Sequence, residues 1–107
     1  MKNVILIGAL FLTSFTFNAT YYGENFNGNV TFSGEKFDMN KMTCASNNFP
    51  IGTKLKVTNK ENGKSVIVRV NDKGNLDKYT IDLSKAAFKR IAELKTGVID
   101  VKVKVIK

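Results

Sequence analysis

The chain has 107 residues, and its 17 Lys and Arg outnumber its 9 Asp and Glu, which gives a formal net charge of +8. This length allows one small domain, and the single cysteine, Cys44, excludes an internal disulfide. Because the chain has no histidine to join that cysteine as a ligand, we expect neither a metal site nor a cofactor.

Residues 1–18 have the pattern of a secretory signal peptide. Lys2 supplies a positive charge, and the stretch Val4–Phe17 is almost wholly apolar but too short for a membrane span. Ala19 suits the position before cleavage, although the sequence leaves the cut site open. We therefore expect export to the periplasm, the cell wall or the medium, with a mature domain at residues 19–107. The leader has no cysteine to acylate and no second apolar run follows, so we expect neither a lipoprotein nor a membrane span.

The positive charge of the mature domain favours an anionic polymer as its partner. The lysines are spread along the chain without a zinc knuckle or an RNA-binding motif, so we expect no nucleic-acid partner. Most of these lysines are explained by solvated strand faces. No histidine is present to activate the thiol of Cys44, which is predicted to be a small buried core residue.

Aromatic residues alternate with Gly and Asn from Thr20 to Asn29. The rings of Tyr21, Tyr22 and Phe26 have two equally supported interpretations. They form either a stacking platform for sugar rings or a plug at the end of a small β core.

Two predicted strands, Lys54–Thr58 and Ser65–Val70, alternate polar and apolar residues. The dipeptide Asn62-Gly63 between them is a strong hairpin signal. Apolar spacing predicts a helix from Ser84 to Leu94, and a last alternating strand follows at Ile99–Ile106. Many short strands with one helix predict a small, mainly β domain, a barrel crossed by a single helix.

Two carboxylates flank the segment between the second hairpin strand and the helix. Asp72 follows the strand and Asp82 precedes the helix. A pair of this kind is what a hydrolase-like or lyase-like site needs, although Asp72 also fits a turn and Asp82 a helix cap. An acid/base role for Asp72 requires a raised pKa, supplied by partial burial or by a neighbouring carboxylate such as Asp82 or Glu35.

Four segments, in the same order and spacing, resemble the rare lipoprotein A (RlpA) family. Ala19–Gly23 is similar to the family motif A-S-[WY]-Y-G, and Ser33–Asn40 is similar to N-G-E-R-F-D-M-N. Phe49–Asn59 is similar to L-P-F-G-T-R-V-R-V-T-N. Val68–Gly74 is similar to V-R-[IV]-N-D-R-G, and Ile81–Ser84 is similar to the I-D-L-S that follows it. The resemblance covers essentially the whole mature chain.

This resemblance implies a six-stranded double-psi β-barrel with one main α-helix, a fold shared with the expansins. It also implies an endolytic lytic transglycosylase that cleaves peptidoglycan glycan strands without water and leaves 1,6-anhydro ends. The alternative is an expansin-like, non-catalytic domain that binds glycan and loosens the wall. In both cases the expected partner is peptidoglycan glycan and the expected state is a monomer.

Carried over by position, the family's acidic residue is Glu35 or Asp38, its histidine is Ser46 and its aspartate is Asp72. Ser46 departs from the pattern, because a hydroxyl cannot carry a proton near neutral pH as an imidazole does. The predicted catalytic residues are Asp72, Glu35 and Asp82.

The predicted substrate contacts are Tyr22, Asp38, Ser46, Arg69 and Asn71. Two of these assignments have a plain structural alternative. Asp38, like Glu35, also fits a solvated turn, and Arg69 fits an outward strand residue in a salt bridge.

Overall fold

The computed structural model describes residues 14–107, so most of the predicted leader, residues 1–13, lies outside the described part of the chain. The elements are strands β1 Phe15–Tyr21, β2 Thr43–Ser46, β3 Lys54–Asn59, β4 Ser65–Asp72, β5 Thr80–Leu83 and β6 Ile99–Ile106, and helix α1 Lys85–Ile91. Short 3₁₀ turns lie at Glu24–Phe26 and Leu94–Thr96.

The six strands close into a barrel in the order β1-β5-β2-β4-β3-β6. The pairs β1/β5 and β2/β4 are parallel, and the other four neighbouring pairs are antiparallel. Closure leaves none of these six strands with an exposed edge, which is how a small β domain avoids pairing with other chains. The predicted fold class, a six-stranded mainly β barrel with one main helix, is confirmed.

The β3–β4 hairpin is where the sequence predicted it. Side chains alternate between the two faces of a strand, and the apolar set of this hairpin points into the barrel. That set is Leu55, Val57, Val66, Val68 and Val70, each no more than 6% exposed. The connection spans residues 60–64 with Gly63 at φ +75°, a longer loop than a two-residue turn.

Strand β1 begins earlier than the predicted mature domain. Residues 15–19 pair with β6, and Phe17 is only 2% exposed, with its ring stacked on that of Phe49 at 5.8 Å. The barrel therefore includes residues 15–18, which the sequence analysis assigned to the leader.

Helix α1 starts as predicted but ends at Ile91 instead of Leu94. The amide Nδ2 atoms of Asn59 and Asn62 donate to the Ile91 carbonyl at 2.8 and 3.0 Å. These contacts satisfy a carbonyl that a further helical turn would otherwise use, and Ala92 adopts an extended backbone. The predicted C-terminal boundary is wrong because residues from the distant hairpin cap the helix.

Ser84 caps the N-terminus of α1. Its Oγ accepts a hydrogen bond from the Ala87 N–H at 3.1 Å and also donates to the Lys41 carbonyl. In residues 14–107, no helix is long and apolar enough to span a membrane.

We expect Ser84→Ala to destabilise the protein by about 1–2 kcal/mol, because it removes a helix cap and leaves the Lys41 carbonyl without this donor. Urea unfolding measures the change as a shift in midpoint at constant slope. Ser65→Ala, at an exposed strand start, is the matched control and should change the free energy of unfolding by less than about 0.5 kcal/mol. Equal midpoints for the two variants would contradict the cap.

Candidate functional site

The two aspartates lie on one row of residues at one end of the barrel. Strand β2 runs between β4 and β5, and its Ala45 pairs with Asp72 on one side and with Asp82 on the other. Neighbouring strands are about 4.8 Å apart, so the two aspartate backbones are roughly 10 Å apart. On β1, Thr20 pairs with Asp82 and extends the row.

A β-bulge at Asn71 sets the direction of the side chains at this end of β4. Cys44 pairs with Val70 and the next residue, Ala45, pairs with Asp72, so Asn71 is the extra residue on β4. Bulges of this kind redirect side chains and are common beside active sites. Asn71 is buried, whereas Asp72 stays half-buried.

Three donors converge on the carboxylate of Asp72. The Tyr22 hydroxyl donates to Oδ2 at 2.7 Å, and the backbone N–H groups of Phe32 and Lys73 donate to Oδ1 at 2.8 and 2.9 Å. Burial, and then the hydrogen bond to Asp72, raise the pKa of Tyr22 well above its ordinary value, so its hydroxyl remains a donor. This set of donors suits a carboxylate that carries negative charge.

Asp82 is a strand residue in the row and does not cap the helix, since Ser84 has that role. Thr20 Oγ1 donates to Asp82 Oδ1 at 2.9 Å. Burial, and after it the negative charge of Asp72, raise the pKa of Asp82 above its ordinary value, and the Thr20 hydrogen bond opposes the rise. Asp82 therefore keeps its proton to higher pH than a solvated aspartate.

We expect Thr20→Val to raise the pKa of Asp82 further, because valine keeps the shape of threonine but cannot donate to the carboxylate. The pKa is read from an NMR titration of the Asp82 carboxyl carbon. Thr16→Val, at an exposed position of the same strand, is the control and should leave that titration unchanged. A lower or unaltered pKa for Asp82 in Thr20→Val would contradict this assignment.

Glu35 lies in a turn that docks on the end of β4. The turn is closed by a bridge between Val30 and Lys36, and the Ser33 N–H donates to the Asn71 carbonyl at 3.1 Å. Together with the Phe32 bond to Asp72, this contact brings the turn against the aspartate row.

The carboxylate of Glu35 is held by two side chains of β4. Asn71 Nδ2 and Arg69 Nη2 each donate to Oε1 at 2.7 Å. These hydrogen bonds, that of Asn71 first, lower the pKa of Glu35, so it is a carboxylate at neutral pH. Arg69 thus forms a salt bridge at the surface, a kind of pair that contributes little to stability.

Asp38 and Ser46 are placed differently from the other predicted site residues. Asp38 Oδ1 accepts a hydrogen bond from the Asn40 N–H at 2.9 Å, a contact that is typical of a turn. Asp38 also lines a cavity with Glu35 and Asn71. Ser46 is fully buried, accepts from the Asn48 N–H at 3.1 Å, and by strand alternation lies on the same side of β2 as Cys44. A substrate contact by Ser46 stays a prediction.

The aromatic residues at the end of β1 and just after it act mainly as a plug. Tyr22 stacks on Phe37 with the ring centres 4.1 Å apart, and Tyr21 packs on Phe88 at 4.7 Å. The Tyr21 hydroxyl also donates to the Leu94 carbonyl at 2.9 Å. Of the three, Phe26 is exposed, at 46%, whereas Tyr21 is half-buried and Tyr22 is buried.

Cys44 is buried, as the sequence predicted, and burial raises the pKa of its thiol above the ordinary value. A thiol in that state is a poor nucleophile. Within residues 14–107, no group of three or more Cys, Asp or Glu side chains is arranged to hold a metal ion.

A second cavity, of about 680 Å³, lies at the other end of β4. It is lined by residues 59–62 and by residues between Ala92 and Asp100, and by none of the predicted site residues. Strand β4 runs from that end to Asp72, so this cavity is separated from the aspartate row by the length of the strand.

A family profile described as lytic transglycolase matches residues 14–103, which include the whole aspartate row. The endolytic peptidoglycan transglycosylase RlpA of Vibrio cholerae serotype O1 is 46% identical to this chain over 89 residues. The chain belongs to the RlpA-like family of double-psi β-barrel domains.

This RlpA-like chain is much shorter than the relatives that it matches. The aligned part is 82% of this chain but 34% of the Vibrio cholerae protein, so the chain spans about a third of that relative. A probable RlpA transglycosylase of Treponema pallidum is 49% identical over 81 residues, which are 75% of this chain and 26% of that protein.

Two solved structures superpose on most of this RlpA-like chain. The Streptomyces papain inhibitor superposes with a TM-score of 0.74 at 29% identity, covering 89% of this chain and 96% of the inhibitor. An expansin of Clavibacter michiganensis superposes with a TM-score of 0.71 at 23% identity, covering 89% of this chain and 51% of the expansin. The same expansin, as a d78n mutant, has been solved in complex with cellohexaose. The likeness to the expansin shows the fold alone.

Proposed function

We propose that this RlpA-like domain is an endolytic peptidoglycan lytic transglycosylase. The observation that carries the proposal is the aspartate row, in which one carboxylate has a raised pKa and the other accepts three hydrogen bonds. Two carboxyl groups whose environments differ in this way are suited to separate acid and base roles. The RlpA transglycosylases among its relatives support the same reaction.

In the proposed reaction Asp82 is the general acid. Its Oδ1 accepts from Thr20, which leaves Oδ2 to carry the proton toward the glycosidic oxygen. As the bond from that oxygen to C1 of the sugar breaks, the leaving oxygen takes the Asp82 proton. The sequence favoured Asp72 for this role, but the raised pKa of Asp82 makes it the better proton donor.

Asp72 is the general base. The 6-hydroxyl oxygen of the same sugar bonds to C1, its proton passes to Asp72, and a 1,6-anhydro ring forms without water. The negative charge of Asp72 also stabilises the oxocarbenium-like charge that develops at C1. Proton exchange with solvent then returns both aspartates to their starting states.

This division of roles explains how the reaction proceeds without the family histidine. Asp82 and Asp72 supply one proton donor and one proton acceptor, so Ser46 need not take part. Glu35 stays anionic beside the row and, with Arg69 and Asn71, presents polar groups to the hydroxyl and acetamido groups of the glycan.

A second candidate function is glycan binding and wall loosening without cleavage, as in the expansins. The observation that favours it is the serine at position 46, where the family pattern has its histidine. Under either function the protein acts on the cell wall, and we infer export and a monomeric state.

Mass spectrometry of glycan strands stripped of their peptides tests the proposal. The transglycosylase should release fragments that carry 1,6-anhydro ends. Intact strands that bind the protein, with no such fragments after prolonged incubation, would reject the enzyme and favour the expansin-like function.

A further inference from the structure

Basic side chains cover the outer wall of the barrel on β3 and β6. The outward positions of these two strands alternate with apolar residues that are buried in the core. Four of the outward positions are lysines, and together we call them the lysine face: Lys54, Lys56, Lys102 and Lys104.

The strand register brings these four charges close together. Lys56 lies directly opposite Lys104, and Lys54 and Lys102 are each two residues away along their own strands. Like charges that lie opposite each other destabilise a sheet. Within residues 14–107, none of the four lysines forms an ion pair. The lysine face therefore carries a positive charge that the described part of the protein does not neutralise, which indicates an anionic partner.

The shape of the lysine face favours a surface of anionic groups over a single anionic strand. Proteins that hold one nucleic-acid strand do so in a positively charged groove, whereas the outer wall of a closed barrel is convex. Here the charges are spread in two directions, along β3 and β6 and across them. An array of this kind can contact several headgroups of a membrane at once.

An exposed apolar side chain adjoins the lysine face. Ile67 of β4 lies opposite Lys56, on the side away from β6, and is 54% exposed. Membrane surfaces bind proteins through apolar area together with attraction to anionic lipids. Long lysine side chains keep their ammonium groups at the phosphates while an apolar neighbour enters the headgroup layer.

The chain enters the barrel beside the lysine face. Phe15 and Thr16 of β1 pair with Val103 and Lys102 of β6, so the segment before Ser14 joins the barrel at the edge of this face. That segment belongs to the predicted apolar leader, which enters a membrane during export. The lysine face is therefore next to a membrane surface when the barrel first folds.

We propose that the lysine face docks the barrel on a membrane rich in anionic phospholipids. The four ammonium groups lie against the phosphate headgroups, and Ile67 enters the headgroup layer. Each lysine near such a surface strengthens binding about fivefold.

This orientation leaves the candidate site free to meet the cell wall. In the closed order of six strands, β5 and β2 lie across the barrel from β3 and β6. Asp82 of the aspartate row alternates with the buried Ile81 and Leu83, so it faces outward on that opposite wall. A barrel docked through the lysine face therefore presents Asp82 away from the membrane. The docking goes beyond the proposed function and does not depend on cleavage.

Cosedimentation of the full chain with lipid vesicles tests the docking. Vesicles of phosphatidylcholine alone are compared with an equal mixture of phosphatidylcholine and phosphatidylglycerol. The apolar leader contacts both kinds of vesicle, so the ratio of the two affinities measures the contribution of charge. The ratio should be at least about 100-fold in 0.1 M salt and should collapse in 1 M salt, where the screening length falls from about 10 Å to about 3 Å. A ratio near one in 0.1 M salt would overturn the proposal.

A double variant, Lys56→Gln with Lys104→Gln, tests the face itself. It should bind the anionic vesicles about 25-fold more weakly. Its thermal midpoint should be equal or higher, because two opposed charges are removed. The matched control is Lys89→Gln with Arg90→Gln, which removes the same charge from exposed positions of α1 and should weaken binding less than about threefold. Equal losses in the two double variants would assign the binding to net charge and overturn the proposal.

Linear polyphosphate, a soluble chain of phosphates, separates a membrane from an anionic polymer. Ile67→Ser should bind anionic vesicles about fivefold more weakly and polyphosphate equally well, because only a bilayer takes up an apolar side chain. Polyphosphate binding that requires Lys56 and Lys104, without binding to anionic vesicles, would overturn the proposal and assign the lysine face to an anionic polymer.

Discussion

An Asp72→Asn variant should lose release of 1,6-anhydro fragments by about 10²–10⁴-fold, the usual contribution of a positioned acid or base. Asparagine retains an oxygen that accepts from the Phe32 and Lys73 N–H groups, so the turn that carries Glu35 stays docked. The amide cannot take the proton of the sugar hydroxyl and carries no charge to stabilise the transition state. The variant should therefore keep its fold and lose its catalytic activity.

The measurement is the rate of anhydro-fragment release from stripped glycan strands, with circular dichroism to confirm the fold. Asp100→Asn is the matched control, because it removes an exposed carboxylate on β6 and should leave the rate unchanged. A rate within a few-fold of wild type for a folded Asp72→Asn would remove Asp72 from the mechanism. If Asp72 is the general base, the variant should lose cleavage and still bind glycan.

A chain that begins at Thr20 should fail to form the barrel, whereas one that begins at Ser14 should fold. Starting at Thr20 removes most of β1, the strand that closes the barrel between β5 and β6. It also removes Phe17 and Ala19 from the core. Loss of a buried phenylalanine alone costs about 3–5 kcal/mol, against a total stability of about 5–15 kcal/mol for a typical protein.

Thermal unfolding followed by circular dichroism compares the two chains. Phe17→Ala and Phe15→Ala in the longer chain form a matched pair, since the side chains are 2% and 45% exposed on the same strand. Phe17→Ala should lower the midpoint far more than Phe15→Ala. A cooperative transition at the same temperature in the chain from Thr20 would show that residues 15–19 are dispensable. If the prediction holds, any leader cleavage that yields this barrel must occur before Phe15.

Local patterns were enough to predict the hairpin and the last strand. Leu55 and Val57 alternate with lysines, and the same period of two runs through β4 and β6, so each strand shows its buried face in its own residues. The start of α1 could also be predicted, because its apolar spacing is a local signal, although the cap is Ser84 and not Asp82, which the sequence fitted to that role. The end of α1 was not, since it depends on Asn59 and Asn62 from another part of the chain.

The residue types of the candidate site could be predicted from the sequence, but their arrangement in space could not. Asp72 and Asp82 could be singled out by their places beside ordered elements and by the RlpA resemblance. The two aspartates lie close together because Ala45 of β2 pairs with Asp72 on β4 and with Asp82 on β5. Such pairings join distant residues and leave no local periodic pattern. The bulge at Asn71, which positions Glu35, likewise arises only when β2 and β4 pair.

By itself the sequence determined that the protein is one small β domain with one helix and that it resembles the RlpA family, and it predicted a site built on carboxylates. Only the tertiary structure decided that Asp82 has the raised pKa, because that shift comes from burial and from the nearby charge of Asp72. It also decided that Tyr22 serves Asp72 as a buried donor and that the barrel begins at Phe15. Burial and long-range pairing are properties of the closed barrel, and no single stretch of the chain contains them.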